Sequence, residues 1–427
     1  MPKPFTILLG KAVRHAARLR GGNGSALPGL FVERIDPTFV PRTLSKLPRG
    51  VVVISGTNGK TTTTKMVVSL LESQGLKVFT NRTGSNFVRG VAAALLGDIS
   101  IRGTLDADIA VLELDEAHAV KFVEIVKPRY SLLLNVLRDQ LDRFGEIDTT
   151  RRMLEVIAKS TSEAVVLNAA DPRVRSLHSS VPKRTRVEYF DLDKKLASHF
   201  PSDDDLHSKD APSTSPAKNA HQPLILLNDF NDSSAQYTIG GSSYTANLQL
   251  KGAYNIFNSA AALALARTIL PDADIKTLLT ALETITPAFG RGETFTVNGF
   301  PLELVLVKNP SGFRLGLSSY SHTGYATLIA INDNYADGRD MSWLWDVDFT
   351  ALRDHPVATT GIRSHDIALR LHYDEVAIEN DKPNLEEALR SFMHRHENTP
   401  KRIYCTYTAM LAIRKLLAQY TSVEDIN

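Results

Sequence analysis

Seven consecutive residues, Gly56-Thr57-Asn58-Gly59-Lys60-Thr61-Thr62, have the chemistry to hold a nucleoside triphosphate. The glycines let backbone N–H groups approach phosphate oxygens with no Cβ in the way. A helix beginning at Lys60 would add the partial positive charge of its N-terminus. Lys60 can reach terminal phosphates, and the Thr61 hydroxyl can join a magnesium shell. The longer, general phosphate-loop pattern would put a glycine at position 54, where this chain has Ile54, so the turn is a shortened form. A second chemical feature is the acidic run Leu112-Glu113-Leu114-Asp115-Glu116, which closes an apolar stretch. An open α/β sheet places its ligands at the C-terminal edges of its strands. Glu113 and Glu116 both lie at such an edge.

The elements that must position these residues are legible around them. Val51-Val52-Val53-Ile54 is a short β-branched run, as expected of a buried parallel strand. Met66, Val67, Leu70 and Leu71 recur at helical spacing over Lys60 to Ser73, and Gly75 closes that helix. Further strands are expected at 77–80, 109–114, 131–136 and 164–168, with a helix over 148–159. Strands alternating with helices predict a parallel α/β sheet. Residues 193–222 are polar and low in complexity and read as an exposed insertion. Residues 237–250 alternate in strand fashion, and an Ala-rich helix spans 255–269.

A boundary is expected near Thr286-Pro287. Beyond it a second α/β pattern has strands at 302–307, 326–331, 357–360 and 402–406, and helices at 364–370, 384–397 and 408–420. The organisation is therefore an N-terminal helix and linker (1–47), a central ATP-binding domain (48–286) and a smaller C-terminal α/β domain (287–427). Within the first part, residues 1–22 read as an amphipathic helix. It packs on the next domain, and a peripheral contact with an anionic membrane is also compatible with it.

Composition narrows the class. The chain has 427 residues, too many for one typical core. A net charge of +2 gives no argument for a nucleic-acid partner. No stretch is apolar enough to span a bilayer. The lone Cys405 excludes an internal disulfide and fits a reducing compartment, the cytoplasm. It lies in the apolar run Ile403-Tyr404-Cys405 and reads as a core residue, not as a nucleophile.

The loop Gly56–Thr62 is similar to the version found in Mur ligases and folylpolyglutamate synthases. That resemblance implies ATP and Mg2+ as cofactors, with Thr61 and Glu113 as magnesium ligands and Glu116 as the second choice after Glu113. The segment Leu134 to Arg143 resembles the family's Asn followed by Asp-His-Leu-Asp. Asn135 matches, while Gln140 replaces a histidine that usually helps a second magnesium. No lysine in 147–155 matches the family's carbamylated lysine. Gly252 to Asn258 resembles Gly-x-His-Asn-x-x-Asn, whose asparagines border the adenine pocket, which implies Asn255 and Asn258. Phe289 to Glu293 resembles the arginine segment at the domain boundary, which implies Arg291 at the phosphates.

Five further segments (308–312, 332–340, 342–346, 361–363 and 406–410) resemble the C-terminal domain of the MurT family, the ligase subunits of lipid II isoglutaminyl synthase. The resemblance implies ATP-dependent amidation of the D-glutamate α-carboxylate of the lipid II stem peptide through an acyl phosphate. Ammonia would come from a GatD-type glutamine amidotransferase partner in a heterodimer, in the cytoplasm, with the inner face of the membrane as the alternative location. An aspartate of the C-terminal domain would complete the partner's Cys–His pair; Asp346 is the first choice, with Asp348 and Asp340 as alternates. Many relatives carry a four-cysteine zinc ribbon, but residues 193–245 contain no cysteine, and no zinc is expected. Two alternatives stand beside this reading: a ligase that adds an amino acid, and a non-catalytic nucleotide-binding subunit.

Overall fold

The computed structural model describes residues 4–19, 27–81, 88–137, 147–200, 222–231, 234–250, 252–286, 291–319 and 322–423. Two sheets hold the strands. The first is formed by β1 (Val51–Ser55), β2 (Val78–Thr80), β3 (Ile109–Glu113), β4 (Tyr130–Leu133), β5 (Ala164–Asn168), β6 (Arg186–Leu192), β7 (Ile225–Phe230), β8 (Ser234–Ile239) and β9 (Ser242–Asn247). Their order is β2-β3-β1-β4-β5-β6-β7-β8-β9, parallel from β2 to β7 and antiparallel at the β7-β8-β9 edge. Every residue of β1, β3, β4 and β5 is buried, which is why these strands read as continuous apolar runs.

The pleat divides each central strand between two cores. Val52 and Ile54 face the helices Lys60–Ser73 and Ala253–Ile269, while Val51 and Val53 face the other side with Phe122, Leu95 and Leu96. Ala260, Ala261, Ala264 and the other small residues of the second helix are buried and let it lie close against Lys60–Ser73. The chain runs from β1 to β2 and β3 on one side and then crosses to β4 on the other, so the strand order reverses at β1. The crevice at such a reversal is where an α/β sheet binds ligands.

The second sheet takes β10 (Arg291–Val297), β11 (Phe300–Leu306), β12 (Ala326–Ala330), β13 (Val357–Thr360), β14 (Ile378–Lys382) and β15 (Lys401–Cys405), in the order β10-β11-β15-β12-β13-β14. All pairs are parallel except the β10–β11 hairpin, whose turn residues Asn298 and Gly299 both have positive φ. Within this sheet the buried Arg402 guanidinium bonds Glu303 through two nitrogens and lies over the Tyr325 ring.

Three expectations need correction. The linker read over 23–47 contains two helices, Leu27–Ile35 and Phe39–Leu44, because Val32, Phe39, Val40 and Leu44 pack into the first domain's core. The insertion expected from residue 193 begins later: Lys194–His199 forms a 3-10 turn in which Leu196 is buried, and Phe200 packs on the core. Residues 201–221 lie outside the described residues. The alternating stretch 237–250 is interrupted by a turn at Gly240-Gly241, both at positive φ, which makes β8 and β9 a hairpin. No helix among the described residues is long and apolar enough to cross a membrane.

Candidate active site

The loop after β1 is held open by its neighbours. Gly56 and Gly59 have φ of +137° and +87°. A Cβ on Gly59 would come within 2.7 Å of the Asn258 side-chain amide. Only glycine fits that close approach. Asn135, just beyond β4, braces the loop: its Oδ1 accepts from the Asn58 N–H at 2.8 Å, and its Nδ2 donates to the Asn58 carbonyl at 3.0 Å. The Thr57 N–H donates to the Asn135 carbonyl, and the Thr57 hydroxyl accepts from the Leu137 N–H. Thr62 is buried in the first turn of the helix behind the loop.

Lys60 opens that helix with its ammonium almost buried. Its Nζ donates to the carbonyls of Gly56 at 2.6 Å and Thr57 at 3.2 Å, and forms ion pairs with Asp115 at 3.2 Å and Glu116 at 3.5 Å. Burial pushes the Asp115 carboxyl up, but Lys60, with help from Lys308 and His118, draws it below its ordinary value. Glu116, the second-choice metal ligand, is thus a partner of the lysine here.

Thr61 and Glu113 meet across the crevice. The Thr61 hydroxyl donates to Glu113 Oε1 at 2.7 Å. Glu113 is buried at the end of β3, and its backbone is clamped by Asn81: Oδ1 accepts from the Glu113 N–H and Nδ2 donates to its carbonyl. A hydroxyl and a carboxylate oxygen this close are the hard oxygen donors that Mg2+ takes, so the pair fits that ion. Nothing in the local sequence around Asn81 announced its role.

Next to the loop is a cleft lined by Asn135, Asn168, Asp171 and Asn258 and by aromatic rings. Phe200 packs on Tyr254 and Phe257 with centroids 5.2 and 5.1 Å apart, and Phe190 lies 5.2 Å from Phe257. Flat apolar walls with amides at the rim suit a purine. Asn258 is part of this lining. Asn255 is one helical turn earlier, its N–H on the Gly252 carbonyl, outside the lining.

The second sheet's domain also reaches the loop. Asn309, between β11 and the helix Pro310–Ser319, is buried and exchanges amide hydrogen bonds with Asn58 at 3.2 and 3.5 Å, while its Oδ1 accepts from the Gly312 N–H at 2.7 Å. Its neighbour Lys308 acts on Asp115. The sequence singled out this segment but gave no sign that it faces residue 58. The backbone of Arg291 pairs with Val305 at the start of β10; its side chain, and all of Gln140, lie outside what is described.

Farther off, Asp346 is half-buried at the end of the 3-10 turn Ser342–Asp346, and its carbonyl accepts from Arg314. Asp340 and Asp348 accept from the Ser342 and Thr350 N–H groups two residues on, as turn caps do. Cys405 is wholly buried in β15, and burial pushes its thiol pKa up.

A sequence profile of the Mur ligase middle domain matches residues 54–266, and one of the MurT ligase C-terminal matches 306–410. Among solved structures, a pseudomurein peptide ligase type C from Methanothermus fervidus has a TM-score of 0.68 at 17% identity, covering 88% of this chain and 79% of that one. The MurF ligase from Thermotoga maritima in complex with ADP has a TM-score of 0.67 at 18% identity, covering 90% and 82%. These show the Mur ligase fold. The chain is 32% identical to the lipid II isoglutaminyl synthase (glutamine-hydrolyzing) subunit MurT of Streptococcus pneumoniae, over 96% of each chain. It is 30% identical to the corresponding subunit of Staphylococcus aureus, over 87% of this chain and 88% of that one. Sharing such identity along nearly its whole length, with both profiles in order, the chain belongs to the MurT family of Mur-ligase-type subunits.

Proposed function

We propose that this chain is the ligase subunit that amidates the D-glutamate α-carboxylate of the lipid II stem peptide, using ATP. A carboxylate oxygen attacks the γ-phosphorus, and the bond from that phosphorus to the departing ADP breaks. The acyl phosphate is then attacked at its carbonyl carbon by ammonia. The carbon–oxygen bond to phosphate breaks, phosphate leaves, and the nitrogen gives up a proton, leaving D-isoglutamine. The observation that carries the phosphoryl-transfer step is the 2.7 Å pair between Thr61, on the loop that also bears Lys60, and Glu113 at the end of β3; the substrate is supported by the 32% identity to the Streptococcus pneumoniae subunit.

Thr61 and Glu113 would hold Mg2+, which supplies charge neutralisation on the transferring phosphoryl group. Lys60 adds positive charge beside it, and the helix N-terminus behind Gly59 orients N–H groups toward the phosphates. Asn258 and the Phe200–Tyr254–Phe257 wall take the adenine, with Asn255 on the same helix end. Arg291 and Lys308 bring charge from the C-terminal side when the two halves close. The functional division falls at 286/287, so that the central domain holds the nucleotide.

The partner we assign is a GatD-type glutaminase. Beside Asp346 the exposed rings of Trp345 and Tyr373 meet edge to face at 5.3 Å, and Leu369 is exposed one helical turn from Tyr373. Exposed aromatic and aliphatic groups beside a carboxylate suit a docked subunit whose histidine that carboxylate orients. The work is then done at the inner face of the membrane, where the lipid-linked substrate lies.

The test is to incubate the purified chain with Mg-ATP, lipid II and ammonium and to analyse the product by mass spectrometry. Replacement of one hydroxyl by an amino group on D-glutamate is expected. ATP consumption only on adding an amino acid would assign the chain to the other ligase class.

A further inference from the structure

Charge is unevenly distributed along this chain. The first 49 residues contain nine lysines and arginines against two acids, so the remainder is net acidic in a chain of total charge +2. Both acids are neutralised internally: Glu33 pairs with Arg89, and Asp36 is buried on Arg42. No carboxylate precedes Glu33, while Lys3, Lys11, Arg14, Arg18 and Arg20 do.

The helix Pro4–Leu19 is apolar on two opposite sides. Its inner side packs through Ile7 and Gly10, where a Cβ on Gly10 would meet Val32 and Leu96 within 3 Å. Its outer side presents Phe5, Leu8 and Ala12, spaced three and four apart in one stripe that ends at the polar His15. Phe5 is 70% exposed and Leu8 52%. The adjoining helix leaves Phe31 and Ile35 exposed on either side of Arg34. Packing on the first domain accounts for the inner side only. An apolar stripe set in a cationic, acid-free segment has the composition of a helix that lies in the headgroup layer of an anionic bilayer.

We infer that the outer stripe of the helix Pro4–Leu19 docks the protein on an anionic phospholipid surface, with Phe5 and Leu8 entering the headgroup layer and the net positive charge of the segment drawing it to the lipid phosphates. A second copy of the chain, similarly basic there, would meet like charge. The inference names the surface behind the membrane location proposed above, and it stands on vesicle binding without any lipid II.

The experiment measures sedimentation of the full chain with vesicles of phosphatidylglycerol and phosphatidylcholine, against phosphatidylcholine alone. Binding is expected only to the anionic vesicles, weakening with salt, and Phe5→Ser/Leu8→Ser is expected to lower it by at least about tenfold. Circular dichroism and melting of that variant should match the parent, since both side chains are exposed. Ammonium-dependent amidation of a soluble stem peptide should be unchanged, while amidation of lipid II in vesicles falls. No binding by the parent chain, or equal binding by the variant, overturns the inference. So does a concentration-dependent dimer that the variant abolishes, which would make a second copy the occupant. Loss of vesicle binding with intact soluble amidation separates this inference from the ligase reading; failure of soluble amidation in the parent chain counts against that reading alone.

Discussion

Replacing Lys60 by Met separates the fold from the chemistry. The ammonium faces Asp115 at 3.2 Å and Glu116 at 3.5 Å, and those side chains are 26% and 5% exposed. At an effective dielectric of about 20, each contact is worth roughly 5 kcal/mol before desolvation. Most of that is offset by taking the charges out of water. What remains on deleting one partner of a buried pair is about 3–5 kcal/mol. Asp115 keeps partial solvation, so about 3 kcal/mol is the expected cost. For a domain of this size the melting temperature should fall by roughly 6–12 °C. The double variant Lys60→Met/Glu116→Gln removes the stranded buried carboxylate and should recover at least half of that loss. Both variants should lose amidation by about 10²–10³-fold or more, because neither restores positive charge at the phosphates. Melting curves with and without Mg-ATP, alongside the ammonium-dependent assay, read both quantities. Lys60→Met melting with the parent, or no recovery in the double variant, would show that the two carboxylates do not depend on the lysine.

Glu113→Gln should lower activity by about 10²–10³-fold with no fall in the melting temperature of the nucleotide-free protein, since the amide oxygen still accepts from Thr61; a large fall would make Glu113 a fold residue. Asp346→Asn should reduce glutamine-dependent amidation in the heterodimer and spare the ammonium-dependent rate, and equal loss of both would move Asp346 out of the partner's site. His322 packs near His355 and Arg402 and bonds the Leu317 carbonyl, and burial depresses its pKa below the ordinary 6.5. The unfolded chain therefore takes up this proton first, so stability should be complete above about pH 6.5 and fall below it. His322→Gln should flatten that part of the pH dependence in thermal melts, and an unchanged slope would assign it to other groups.

The phosphate loop and its flanks were readable because their signals are local. A β-branched run, two glycines and a helical period lie within 23 residues, and the helix Lys60–Ser73 has the bounds its periodicity predicts. The helices at 27–44 were not readable, because Pro28 and Gly29 look like loop residues. The second is glycine for a tertiary reason: a Cβ there would fall 1.9 Å from the Arg89 carbonyl oxygen. Phe200 was hidden for a similar reason, since it borders a polar tract and earns its place only by packing on Tyr254 and Phe257. Asn81 acts across a strand pair, and Asn309 meets a residue 251 positions away. No window along the chain contains either contact. The family resemblance supplied the candidates Glu113, Asn258 and Asp346; the geometry adds what braces the first and what adjoins the last.

The burial of Cys405 has a practical consequence. It is the only sulfhydryl in the chain, and it is closed off from solvent in the middle of a sheet with its ionisation suppressed. Alkylating agents need a thiolate they can reach. Treating the proposed heterodimer with iodoacetamide should therefore silence the glutaminase nucleophile assigned to the other subunit while ammonium continues to be used, which makes a chemical on–off control for nitrogen delivery without altering a single codon.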